Sequence, residues 1–268
     1  MSVSTVLCYR YALAAAILAL IMLFKGVSFR ISKGCFWPII FGGILFALSS
    51  ITLFESYKHM DVGIASTILY VTPVFVALIM ALLYHQRISG FSMIIILIAM
   101  VGIACLSLKS DSEFHSMWGF TLAALSALAY AAYMVLVNKS KLKEVSSFTL
   151  SFYSIVIGIV IFGFNLNFFM DIDPIPMQIA PWANLIGLAI FPTIISIVCT
   201  AQALHDIGPQ NTSMLGALEP LTALVVGCLV FGEVLTPLNI VGVVLVLGAV
   251  TLLLAVPILK ARRSKSNG

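Results

Sequence analysis

Glu219 is followed directly by Pro220, and 147 residues upstream Thr72 is followed in the same way by Pro73. Both pairs lie inside long apolar runs. A carboxylate can hold a proton or a cation, and a proline removes a backbone N–H donor and disturbs the helix around it. Glu219 lies about eight residues, ~12 Å, into its run. A carboxylate facing lipid there costs roughly 2.5 to 3.5 kcal/mol, so it is expected to face the protein interior or a watery cavity. Pro220 is expected to free a carbonyl near Gly216 and let the helix bend. Two readings stay open: Glu219 is hydrogen-bonded between helices as a structural group, or it takes part in a substrate or proton pathway. In the first half, Tyr70, Thr72 and Pro73 form the matching break without an acid. Thr72 back-bonding to its own helix is the plainer reading there.

Two further charges, Arg10 and Glu55, fall in the outer halves of the first and second runs. Each can snorkel to the interface; the sharper expectation is that they pair or belong to an outer gate. Gln202 is the repeat equivalent of Glu55, on a run that also carries Ser196 and Thr200. Tyr57, Tyr130 and Tyr133 are candidates to line a pocket or mark an interface, and Trp37 suits an aromatic belt. Gly42, Gly43, Ala47, Gly242 and Gly248 suit close helix packing.

Enzymatic and metal chemistry find no footing. There is no GxSxG, HExxH, P-loop or strand-turn-helix GxGxxG. The histidines His59, His85, His115 and His205 sit at helix ends or in loops. The cysteines Cys8, Cys35, Cys105, Cys199 and Cys228 are scattered without a CxxC and read as small apolar fillers. No catalytic, cofactor-binding or metal-binding residue is expected, and no cofactor.

The elements that must position these residues follow from composition. The chain is 62% hydrophobic and 9% charged, with a mean hydropathy of +1.15. Lipid must solvate most of such a chain. Nine apolar runs are read at 3–24, 35–57, 62–84, 91–108, 117–138, 147–169, 182–204, 211–231 and 237–259. Their lengths suit helices crossing ~30 Å of hydrocarbon, whereas a barrel would show alternating segments of ~10 residues. Connections are short, so no soluble catalytic domain is expected. A cleaved signal sequence at residues 1–24 lacks a basic n-region and a cleavage site.

Charge orients the runs. One set of alternate loops holds Lys25, Arg30, Lys33, Arg87, Lys139, Lys141, Lys143, Glu144, Asp206 and the basic tail, a net +9. The other holds Lys58, Asp61, Lys109, Asp111, Glu113, Asp171, Asp173 and Glu233, a net −4. The positive-inside rule places the C-terminus in the cytoplasm and Met1 outside. Basic residues beside membrane segments set topology and are no nucleic-acid signal.

Shifted by 147, the first four runs fall on the sixth to ninth. Ser49 meets Ser196, Ser66 meets Ser213, and Pro73 meets Pro220. The fifth run has no mate, because its counterpart would lie upstream of Met1. The expected fold is therefore all-α and polytopic: nine predicted transmembrane helices from an inverted five-plus-five repeat that lacks its first helix. A misplaced start, a truncation and a true nine-helix variant all fit. The expected organisation is a four-helix first repeat at 1–108, a linker at 109–116, a five-helix second repeat at 117–256 and a basic cytoplasmic tail at 257–268. Matching breaks in two inverted repeats point to a carrier with a mid-membrane site.

The stretch LGALEPLTALVVGCLVFGEVLTPLNIVGVVLVLGAVTLL, Leu215 to Leu253, resembles the C-terminal signature of EamA-like transporters of the drug/metabolite transporter superfamily. STILYVTPVFVALIMALLYHQRIS resembles its first-half copy, and CYRYALAAAILAL resembles the start of that family's second helix. The chain departs from the pattern in lacking the first helix and in having Gln86 where the turn glutamate, Glu233 in the second half, is expected. The resemblance implies a ten-helix fold moving small organic solutes, such as metabolites, amino acids or drugs, by alternating access. Export is common in the family, and some members are proton-linked.

The expectation is thus a secondary permease of a bacterial inner membrane, with its cavity lined by the third and eighth runs and helped by the second and seventh. Its candidate pathway residues are Glu219, Pro220, Pro73, Thr72, Tyr70, Gln202, Glu55 and Arg10. The expected partners are the lipid bilayer and a small-molecule substrate, with a homodimer left open and no nucleic acid. An inactive or accessory remnant of such a carrier is the alternative, and a passive channel the third reading.

Overall fold

The computed structural model describes residues 3–60, 62–86, 90–107, 117–165, 179–216, 218–231 and 236–266. Every regular element among them is helical. The order is α1 (Val3–Phe24), α2 (Phe36–Ser56), α3 (Val62–Leu69), α4 (Thr72–Tyr84), α5 (Gly90–Ser107), α6 (Met117–Lys139), α7 (Ser147–Asn165), α8 (Ile179–Ala189), α9 (Ser196–Asp206), α10 (Gly208–Leu215), α11 (Leu218–Phe231) and α12 (Pro237–Ser266). A six-residue π-helix, Ile190–Ile195, joins α8 to α9 without a break. Among the described residues six helical stretches are long and apolar enough to cross a bilayer, and Gly90–Cys105 and Pro237–Leu252 are shorter apolar helices. The chain is a polytopic all-α membrane protein.

The chain forms two compact units, and each draws on both sequence repeats. Residues 1–54 with 132–209 form one, and residues 55–131 with 210–268 the other. In the first unit α1 packs on α7, which is its mate under the 147-residue shift, and α8 also lies against α1. Tyr11, 1% exposed, is the centre of this packing. Its ring meets Phe162 edge-on with centroids 4.9 Å apart, and its hydroxyl lies 3.2 Å from Ser50 Oγ. Close approach depends on Gly158: a Cβ there would stand 2.8 Å from the Tyr11 ring. Gly43 lets α2 meet α7 in the same way, with Ile157 2.6 Å from where a Cβ would be.

In the second unit the dominant pair is α5 with α12, again shift mates. Gly102 permits it, since a Cβ would meet Leu245 Cβ at 2.9 Å and the Val246 backbone nitrogen at 3.0 Å. Ile95, Ile96, Ala99 and Ile103 of α5 bury themselves against Val246, Ala249 and Val250, with Ala77 of α4 and Met214 of α10 in the same cluster. Gly248, expected at a tight contact, has open space around it. Thr236 caps α12, its hydroxyl accepting from the Asn239 backbone N–H at 3.2 Å.

Candidate functional site

The third and eighth runs are both interrupted, and both lie in the second unit. The third divides between α3 and α4 at Tyr70 and Val71; the eighth divides between α10 and α11 at Gly216 and Ala217, the latter outside the described residues. Neither proline kinks a continuous helix. Pro73 and Pro220 each sit in the first turn of the second half-helix, where the missing N–H would have had no intrahelical acceptor anyway.

The residue before each proline settles the carbonyl at the break. Thr72, buried, donates its hydroxyl to Leu69 O at 2.5 Å, which satisfies the carbonyl four residues before Pro73. This is the back-bonding reading. In the second break the Glu219 backbone N–H donates to Gly216 O at 3.0 Å. The expectation of a free carbonyl near Gly216 is therefore corrected: the chain turns tightly enough there for a three-residue bond to take it. The Glu219 side chain is left for other work, whereas that of Thr72 is not.

The Tyr70 hydroxyl donates to the Glu219 carboxylate, which joins the two breaks directly. Glu219 is otherwise accessible, and Tyr70 is half-buried. Tyr57, just beyond α2, hydrogen-bonds Ser66 of α3 close by. Gln210 Nε2 reaches Pro73 O at 3.5 Å, a long contact across the same pair of broken helices. A narrow recess beneath the breaks is lined by Tyr70, Pro73, Met100, Ile103, Ser213 and Met214. Glu219 lies eleven residues after Gly208 and twelve before Phe231, so it is midway along the broken helix. An accessible carboxylate at that depth is tolerable only where water or a polar ligand reaches it.

Among the described residues Glu55 and Arg10 each have a partner within their own unit. Glu55 Oε2 lies 2.7 Å from Lys58 Nζ one turn on, an exposed pair at the end of α2. Arg10 Nε donates to Thr193 Oγ1 at 2.6 Å within the first unit. Gln202, exposed near the end of α9, accepts from Ser147 Oγ at 2.8 Å and donates to Asp206 at 3.0 Å. Ser147 Oγ also lies 3.3 Å from His205 Nδ1. Trp37 is 74% exposed, as a belt residue would be, and Tyr133 is buried against Phe46.

The sequence reading missed Thr193 and the π-helix that presents it. Pro192 deprives Leu188 O of its usual donor, and the Thr193 hydroxyl supplies one at 2.9 Å. The Thr193 oxygen, its own proton committed, accepts from Arg10. A proline followed by threonine midway along the seventh run was the available signal. It has no mate in the first half, so the repeat does not single it out.

A family model for EamA-like transporters matches residues 1–108 and 117–255. An uncharacterized transporter of Archaeoglobus fulgidus is 27% identical over 193 residues, 72% of this chain and 67% of that protein. The uncharacterized transporter YdfC of Bacillus subtilis is 24% identical over 217 residues, covering 80% and 70%. A solved crystal structure 14% identical in sequence superposes with a TM-score of 0.79 over 93% of this chain and 88% of the other. That likeness speaks to the fold alone.

Proposed function

The chain belongs to the EamA-like transporter family, and from that premise we propose that it is a secondary carrier moving a small organic solute by alternating access, with Glu219 as its proton or cation site. The multi-pass helical fold and the transporters among its relatives support a transport role over an enzymatic one. The observation that carries the assignment of the site is the bond from Tyr70 to Glu219, where two interrupted helices meet. Broken helices expose backbone and side-chain polarity at mid-depth, where a carrier binds its solute and coupling ion. Pro73, Pro220 and Thr72 shape this site. Glu55 and Gln202, with their hydrogen-bonded neighbours near helix ends, suit the mouths of a pathway better than its middle.

The residence proposed is a bacterial inner membrane, and the charge distribution supports a C-terminal tail in the cytoplasm. Labelling single cysteines at Ser89 and Thr236 in a cysteine-free background tests the inverted repeat. The two positions should react from opposite compartments, and reaction from one compartment would refute it.

The carrier itself is tested in proteoliposomes with a solute found by comparing metabolites of deletion and overexpressing strains. Saturable flux, stimulated by the same solute on the opposite side and independent of ATP, is expected. Unsaturable flux would indicate a channel, and no flux an accessory protein.

A further inference from the structure

We infer that Arg10 is an oxyanion-binding residue, and hence that the solute carried bears a carboxylate or phosphate group. The inference rests on the carrier reading and names its substrate class. A guanidinium has five N–H donors and cannot be deprotonated under ordinary conditions. Among the described residues only one of them is used, Nε to Thr193 Oγ1 at 2.6 Å. The side chain is only partly buried, and its four other N–H groups have no partner among the described residues. One N–H from each terminal nitrogen makes the planar fork that matches a carboxylate or phosphate with two parallel bonds.

Depth and rigidity distinguish this arginine from one that merely reaches for the interface. Thr193 is fully buried and stands twelve residues after Pro181 and thirteen before Asp206, the middle of its span. The head of Arg10 is tied there by Nε, although a long cationic side chain near a helix start would ordinarily turn outward to lipid headgroups. The tie is built in three steps: Pro192 leaves Leu188 O without its donor, Thr193 supplies one, and the threonine oxygen then takes Arg10 Nε–H. Below, the guanidinium carbon stands 5.7 Å from the centre of the Tyr11 ring, itself locked by Phe162 and Gly158. Thr193 is a positioning residue, and Arg10 is the group left to meet an anion. A cation held at mid-span with no counter-ion among the described residues is costly unless a ligand or water supplies one.

The full chain in detergent micelles tests this through binding, independently of flux. Thermal unfolding is followed with matched pairs: succinate and succinamide, benzoate and benzamide, phenylalanine and its amide, glycerol 3-phosphate and glycerol. At least one probe bearing a carboxylate or phosphate should stabilise the protein saturably while its mate lacking that group does not. Arg10→Gln should weaken that binding at least tenfold, Arg10→Lys less so, and Thr193→Val several-fold. Gel filtration reports folding, and Arg10→Lys with Thr193→Val carry the test if Arg10→Gln does not fold. Failure of every anion to bind, or equal binding by Arg10→Gln, would overturn the assignment. So would Arg10-dependent stabilisation seen only with phosphatidylglycerol over phosphatidylcholine nanodiscs, which would give the guanidinium to a lipid headgroup. Anion binding without any flux would leave this assignment standing and remove the carrier reading instead.

Discussion

Thr72 and Glu219 are equivalent residues, 147 apart and each directly before the proline of a broken helix, yet they resolve the break in opposite ways. Thr72 turns its side chain back to Leu69 O, while Glu219 uses its backbone N–H on Gly216 O and keeps its side chain for Tyr70. The two repeats thus share a backbone device and differ in chemistry. One copy closes its break with a hydroxyl, and the other offers a carboxylate there.

Tyr70→Phe removes the donor to Glu219 and leaves the ring in place. Hydrogen bonds to charged groups contribute about 1.5–3 kcal/mol, so transport efficiency should fall by roughly tenfold or more while yield and monodispersity stay unchanged. Initial-rate flux in proteoliposomes measures this, and an unaltered rate would separate the tyrosine from the site.

Thr72→Val should act on stability first. It preserves shape but leaves Leu69 O without the Thr72 hydroxyl, in a buried setting where an unsatisfied group costs about 1–3 kcal/mol. Thr72→Ser should restore most of the loss. Denaturant unfolding in micelles compares the three chains; equal midpoints for threonine and valine would mean that the bond is idle.

Glycines separate contact from coincidence. Gly158→Ala forces a methyl to 2.8 Å from the Tyr11 ring, and Gly102→Ala forces one against the Val246 backbone. Overpacking of this kind costs about 1–3 kcal/mol. Gly248→Ala meets nothing within 4 Å and should be neutral or stabilising by up to about 1 kcal/mol. The same unfolding measurement ranks them.

The helices were legible because apolar length and hydropathy are local properties. α1, α2, α6 and the start of α7 fall within about a residue of the expected runs. The breaks were legible through Pro73 and Pro220, but their positions were not, since a proline is best tolerated in the first turn of a helix and so falls just after the gap. Three things lay beyond the sequence. The contact of Arg10 with Thr193 spans 183 residues and involves a threonine with no distinguishing neighbour except Pro192. The pairing of Glu55 with Lys58 is local, but nothing in the pattern ranked it above Arg10. The grouping of α1 with α7 and of α5 with α12 reflects packing of equivalent helices, and an offset reveals equivalence without revealing contact.

The role of Glu219 is most directly tested by recording lumenal pH with trapped pyranine while the identified solute crosses the membrane of proteoliposomes. The wild-type chain should move protons with the solute, and Glu219→Gln should exchange solute across the membrane without moving protons. Proton movement that persists in Glu219→Gln at the wild-type ratio would contradict the account.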